Sequence, residues 1–130
     1  MIEMAMVFTK EGKMIYLQPG SSAGSVSDSR QLWDEIWENR DIVGGVAHTH
    51  PWTGMTQPSS TDVTTFAAVE AGLGKRLIWP IVTFTHVNYF GWRHDWGDYA
   101  EIMEVDFRDE SHWHRLINTL RFLSQQGENR

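Results

Sequence analysis

His48 and His50 stand one residue apart in the stretch GGVAHTHPWTGMTQPSSTD, residues 44–62, which closes on Ser59-x-x-Asp62. If residues 42–48 (IVGGVAH) run as a strand, side chains alternate faces. Both imidazoles then leave the same side, about 7 Å apart at the backbone, and can converge on one ion. Asp62 supplies a third donor, because in the first turn of the next helix a short side chain and the positive helix end hold a carboxylate in place. Zinc suits two neutral imidazoles and one carboxylate, with the fourth position left for water. The chain has no cysteine, which excludes disulfides, thiolate ligands and a cysteine nucleophile. Each piece also has a plain structural reading. An H-x-H pair arises by chance in many proteins, and Ser59-x-x-Asp62 is equally the pattern of a capping box.

The elements that must position these residues follow from the hydrophobic period. Residues 2–8 (IEMAMVF) and 13–18 (KMIYLQ) read as two strands joined by TKEGK, where Gly12 can take a positive φ. PGSSAGSVSDS is a loop of small and polar residues. After it Leu32, Trp33, Ile36 and Trp37 form the stripe of a helix from about Ser29 to Asn39. Pro51 ends the histidine strand and turns the chain, SSTDVTTFAAVEAG opens as a capped helix and closes on glycine, and RLIWPIVTFT is a strand interrupted by Pro80. YAEIMEVDF reads as a final strand, whereas VNYFGWRHDWGD reads as a turn or excursion. Trp113, Leu116, Ile117, Leu120 and Leu123 make the apolar face of a C-terminal helix. The expectation is one α/β domain of the α+β type over residues 1–130, with a mixed, mainly antiparallel sheet flanked by helices.

Strand, H-x-H-P, short loop and S-x-x-D at a helix start together resemble the JAMM (MPN+, JAB1/MPN/Mov34) family of zinc metallopeptidases, in its small prokaryotic form. The resemblance covers residues 1 to about 84 in order of elements. It implies an MPN/JAB fold, related to that of cytidine deaminases, with His48, His50 and Asp62 as ligands of one catalytic Zn²⁺. It implies that Ser59 helps stabilise the oxyanion. The family's general base is a glutamate at the start of the first strand, about 45 residues before the first histidine, and EMAMVF places Glu3 at a separation of 45. By the same resemblance, Glu3 takes the proton of a zinc-activated water and passes it to the leaving amine. Eight residues separate His50 from Ser59 where the family has seven, so the loop must bulge by one.

The resemblance implies a hydrolase that cuts after the C-terminal Gly-Gly of a ubiquitin-like or β-grasp protein, which adds as a strand to an exposed sheet edge. Many small members also depend on a partner that orders a loop over the site. Two other classes stay open: a binding scaffold of the same fold that does not hydrolyse, and a zinc hydrolase for sulfur-carrier, phage-tail or cell-wall peptides. A deaminase is the weaker relative, since its Cys-x-x-Cys ligands cannot exist here.

The remaining residues are read as structural. Glu35 and Glu38 lie on a polar helix face, Glu11 in a turn, and Glu70 two turns beyond Asp62, too far along to share its ion. His112 and His114 point apart on a helix. His86 and His94 are structural or rim residues, most of the seven tryptophans are core, and Trp52 is placed to line a substrate groove. A net charge of -6 with no basic cluster argues against nucleic acid, and no apolar run approaches the roughly 20 residues of a membrane span. A soluble cytoplasmic protein is expected.

Overall fold

The computed structural model describes residues 3–19, 30–102 and 110–128, with the backbone alone for 110–114 and 126–128. Strands β1 (Met4–Thr9) and β2 (Met14–Pro19) form the expected hairpin, and Gly12 adopts φ 84° in its turn. Helix α1 (Arg30–Glu38) leads to β3 (Val43–Thr49), and helix α2 (Ser60–Leu73) to β4 (Trp79–Val82). Strands β5 (Val87–Arg93) and β6 (Asp98–Glu101) precede helix α3 (Glu110–Glu128). The fold is α+β, with one mixed six-stranded sheet ordered β2-β1-β3-β4-β5-β6 and three helices among the described residues. β3 and β4 are parallel, and the other neighbouring strands are antiparallel.

Alternation along β1 sorts the core onto the two faces of the sheet. Ala5 and Val7 join Val46 under Leu32 and Ile36 of α1 and Phe66 of α2. Met4, Met6 and Phe8 join Ala47 and Val82 beneath Ile117 and Leu120 of α3. No helix among the described residues is long and apolar enough to cross a membrane.

Pro80 sits inside the interior strand β4, an unusual place for a residue without an amide donor. Ile78 N–H donates to Gly44 O and Val46 N–H to Ile78 O, so the alternation directs the missing Pro80 donor toward β3. Pairing accordingly splits into a bridge at Gly45–Ile78 and a ladder at His48–Ile81 and Thr49–Val82. Gly45 permits the bridge, since a Cβ there would run into Ile78 O and the Phe8 ring.

Two readings of the sequence are corrected. VNYFGWR is not a turn or excursion but β5, which pairs with β4 and, through a tight turn with Gly97 at φ 66°, with β6. Its alternation was hidden by Asn88 and Gly91, both buried. Asn88 bonds to Thr56 N and Glu101, and Gly91 leaves room for the Ile102 side chain. The tryptophans are also less buried than expected. Of the six with described side chains Trp79 is buried, Trp33 and Trp92 are half-buried, and Trp37, Trp52 and Trp96 are exposed. Arg40, Arg76 and Arg93 lie over the rings of Trp37, Trp92 and Trp96, a cationic cover that suits indoles at the surface. The side chains of His112, Trp113 and His114, and residues 103–107 of the expected last strand, lie outside the described residues.

Candidate metal centre

The antiparallel register of β1 and β3 ends on the Ala5–His48 pair, and Glu3 and His50 each lie two residues beyond it. Glu3, His48 and His50 line one cavity with residues of α1 and α2, on the face of the sheet that Ala5 shares with His48. Met4 N–H donates to Thr49 Oγ1 at 2.9 Å, and His50 N–H to Val82 O at 2.8 Å. These bonds fix the strand end that bears the histidines.

His48 Nε2 and His50 Nε2 lie 3.0 Å apart. Asp62 Oδ1 is 3.4 Å from His48 Nε2, and Asp62 Oδ2 is 3.3 Å from His50 Nε2. A tetrahedral ion with bonds of ~2.0–2.1 Å holds its ligand atoms about 3.3 Å apart. The three side chains thus have the donor types and spacing for one metal ion, and they form the His/Asp cluster able to hold one among the described residues. His50 is buried, and His48 and Asp62 are half-buried, so the donors are shielded from water on most sides.

The capping box is present, and it is part of the site. Asp62 N–H donates to Ser59 Oγ and Ser59 N–H donates to Asp62 Oδ2, both at 3.0 Å, at the start of α2. Burial pushes the Asp62 carboxyl pKa up. Hydrogen bonds to His48 and His50, the charge of His48 and the Ser59 amide outweigh this and hold it well below the usual carboxylate range. Asp62 is therefore an ionised acceptor at neutral pH. The metal-ligand and helix-cap readings of Ser59-x-x-Asp62 describe one arrangement, in which the cap aims the carboxylate.

A residue that the sequence reading passed over, Thr56, orients His50. Thr56 Oγ1 donates to Gln57 O at 3.3 Å and lies 3.2 Å from His50 Nδ1. With its own proton so engaged, Thr56 is placed to accept the Nδ1–H of His50, the arrangement in which Nε2 can give up its contact with Asp62 and bind a metal instead. Thr56 N–H in turn donates to Asn88 Oδ1 at 3.4 Å, and Asn88 Nδ2 to Glu101 Oε1 at 3.2 Å. A threonine in a loop carries no local pattern that marks this role; it emerges once β5 lies beneath the loop.

The eight-residue loop is held by the turn after β4. Gly54, at φ 87°, donates its N–H to Thr85 Oγ1 and accepts from Thr83 Oγ1, both at 2.7 Å. From the opposite layer Arg121 of α3 donates to Thr83 O at 2.9 Å and His86 O at 3.1 Å. Trp52 packs beside His50 with ring centroids 4.3 Å apart and stays exposed.

Glu3, Ser59 and Trp52 line the same cavity as His48, His50 and Asp62, so all five expected site residues meet there with Trp52. Glu70 stands apart from it. Its buried carboxylate accepts from Arg76 at 2.8 Å, from Leu77 N and Trp79 Nε1 at 2.9 Å each, and from the Tyr99 hydroxyl. Burial and this acceptor push the Tyr99 hydroxyl pKa well above its usual range. Glu70 therefore pins the end of α2 to β4 and β6. His86 and His94 are exposed, as rim residues would be. No family model and no curated protein matches this chain.

Proposed function

We propose that this chain is a JAMM-type zinc metallopeptidase of the MPN fold, acting in the cytoplasm. Its proposed substrate is the amide bond after the C-terminal Gly-Gly of a ubiquitin-like, β-grasp protein. The observation that carries this reading is the convergence of His48, His50 and Asp62 at tetrahedral ligand spacing in a cavity also lined by Glu3 and Ser59. The order of hairpin, helix, H-x-H strand and capped helix bearing the aspartate supports the fold assignment.

When bound, zinc supplies a Lewis acid that polarises the scissile carbonyl and acidifies water. Glu3 accepts a proton from the attacking water and delivers it to the departing amine nitrogen. The water oxygen ends in the new carboxylate, the C–N bond breaks, and no bond to the protein forms. Ser59 Oγ takes the Asp62 N–H as acceptor, so its own proton is available to the carbonyl oxygen as charge gathers there. Among the described residues β2 is an edge strand of the sheet, and its Pro19 pairs with Met4, next to Glu3, so an extended tail added along it would lead to the site.

Elemental analysis of wild type and His50→Ala, together with cleavage of a ubiquitin-like Gly-Gly fusion, tests the reading. It predicts one zinc per wild-type chain, loss of that zinc in His50→Ala, and cleavage by the wild type alone.

A further inference from the structure

The cavity that holds the metal donors continues away from them into the protein, with a volume of about 370 Å³. Its inner walls are Leu32, Trp33 and Ile36 of α1, Phe66 and Val69 of α2, and Trp79 of β4. Leu32, Ile36, Phe66 and Trp79 are buried, so this space opens among core side chains. Trp33 closes it where the two helices meet: its indole crosses Gly72, at which a Cβ would lie 2.9 Å from the ring.

Counted from the metal donors to the inner wall, the cavity has room for roughly a dozen waters at ~30 Å³ each. An apolar chamber of a few hundred Å³ with convergent polar groups at one end is the usual form of a small-ligand site. Residues 20–29, between β2 and α1, contain no apolar side chain larger than that of Val26. Because the chamber is continuous with the metal donors, a molecule that reaches them can fill it as well.

We infer that the substrate places a large apolar side chain, of leucine or phenylalanine size, into this chamber from a position flanking the scissile amide. The inference rests on the proposed amide hydrolysis. A Gly-Gly tail fills none of the chamber, so the apolar group belongs to the residue on the amine side of the bond. The substrate is then a Gly-Gly protein extended by a peptide that begins with a large apolar residue.

The zinc-loaded protein is titrated with acetohydroxamate and with 4-methylpentanohydroxamate, which share a chelating group and differ in the apolar arm. Tryptophan fluorescence reports binding, since Trp33 and Trp79 line the chamber. The expected result is at least about tenfold tighter binding of the branched probe, the order that burying a leucine-sized group supplies. Val69→Trp, which fills the space, should remove that difference while one zinc per chain remains; Thr65→Phe fills it from the same helix if the first variant does not fold. Equal affinity of the two probes for the wild type overturns the inference.

Peptides containing Gly-Gly-Leu and Gly-Gly-Ala separate this inference from the activity on which it rests. Faster cleavage after Gly-Gly when leucine follows supports both. Selective hydroxamate binding with neither peptide cleaved keeps the apolar site and removes the peptidase reading. Cleavage of both peptides at equal rates, with equal hydroxamate affinities, keeps the peptidase and removes the apolar site.

Discussion

Ser59 and Asp62 hold each other at the start of α2, each backbone amide donating to the other's side chain at 3.0 Å. The carboxylate so fixed is the one that faces both histidines. Ser59→Ala removes the cap acceptor and should cost about 1 kcal/mol of stability. On the proposed mechanism it also removes an oxyanion donor, so kcat should fall by about two orders of magnitude. Ser59→Asp restores the cap without a hydroxyl and should recover the melting temperature but not kcat. Full activity in Ser59→Ala would leave the serine as a cap alone.

Thr56 sets the ring orientation of His50, and its replacement should be felt as metal affinity. Thr56→Val preserves shape but cannot accept the His50 Nδ1–H, and partners of this kind are typically worth 10- to 100-fold in metal binding. Zinc competition against a chromophoric chelator should register that loss, with Thr56→Ser close to wild type. An unchanged dissociation constant in Thr56→Val would show that the contact does not orient the ring.

Glu70 tests the frame independently of the chemistry. Four donors converge on its buried carboxylate, so Glu70→Ala leaves the Leu77 amide, the Trp79 indole, Tyr99 and Arg76 without their acceptor. Arg76 can turn to solvent, but the Leu77 amide and the Trp79 indole are buried, and each left unpaired costs about 1–3 kcal/mol. Urea denaturation should report the destabilisation, and the folded fraction should still bind one zinc, because Asp62 is held at the opposite end of α2 by its own cap. A loss below about 1 kcal/mol would contradict the pinning role.

The sequence reading succeeded where chemistry and period are local. The hairpin turn at Gly12, the Leu32/Ile36 stripe, the H-x-H strand and the Ser59–Asp62 box are each set by residues within a few positions of one another. It failed where the reason lies across the fold. Asn88 and Gly91 interrupt the alternation of β5 for the sake of Thr56 and Ile102, which come from other segments. Glu70 resembles any helical glutamate until β4 and β6 bring their donors to it, and Thr56 gains its role from a histidine six residues away and an asparagine 32 away. Glu3 is intermediate, since its spacing is visible in the sequence but its place in the cavity of the histidines depends on the β1–β3 register.

The most direct test of the central claim is to compare wild type with Glu3→Gln for zinc content and for cleavage of a Gly-Gly fusion in the same preparations. The proposal predicts one zinc per chain in both, with cleavage lowered at least about 10²-fold in the variant, as expected when a general base is removed from an intact site. Cleavage undiminished in Glu3→Gln would remove Glu3 from the chemistry, and wild-type protein without zinc would reduce His48, His50 and Asp62 to a hydrogen-bonded cluster beside a capped helix.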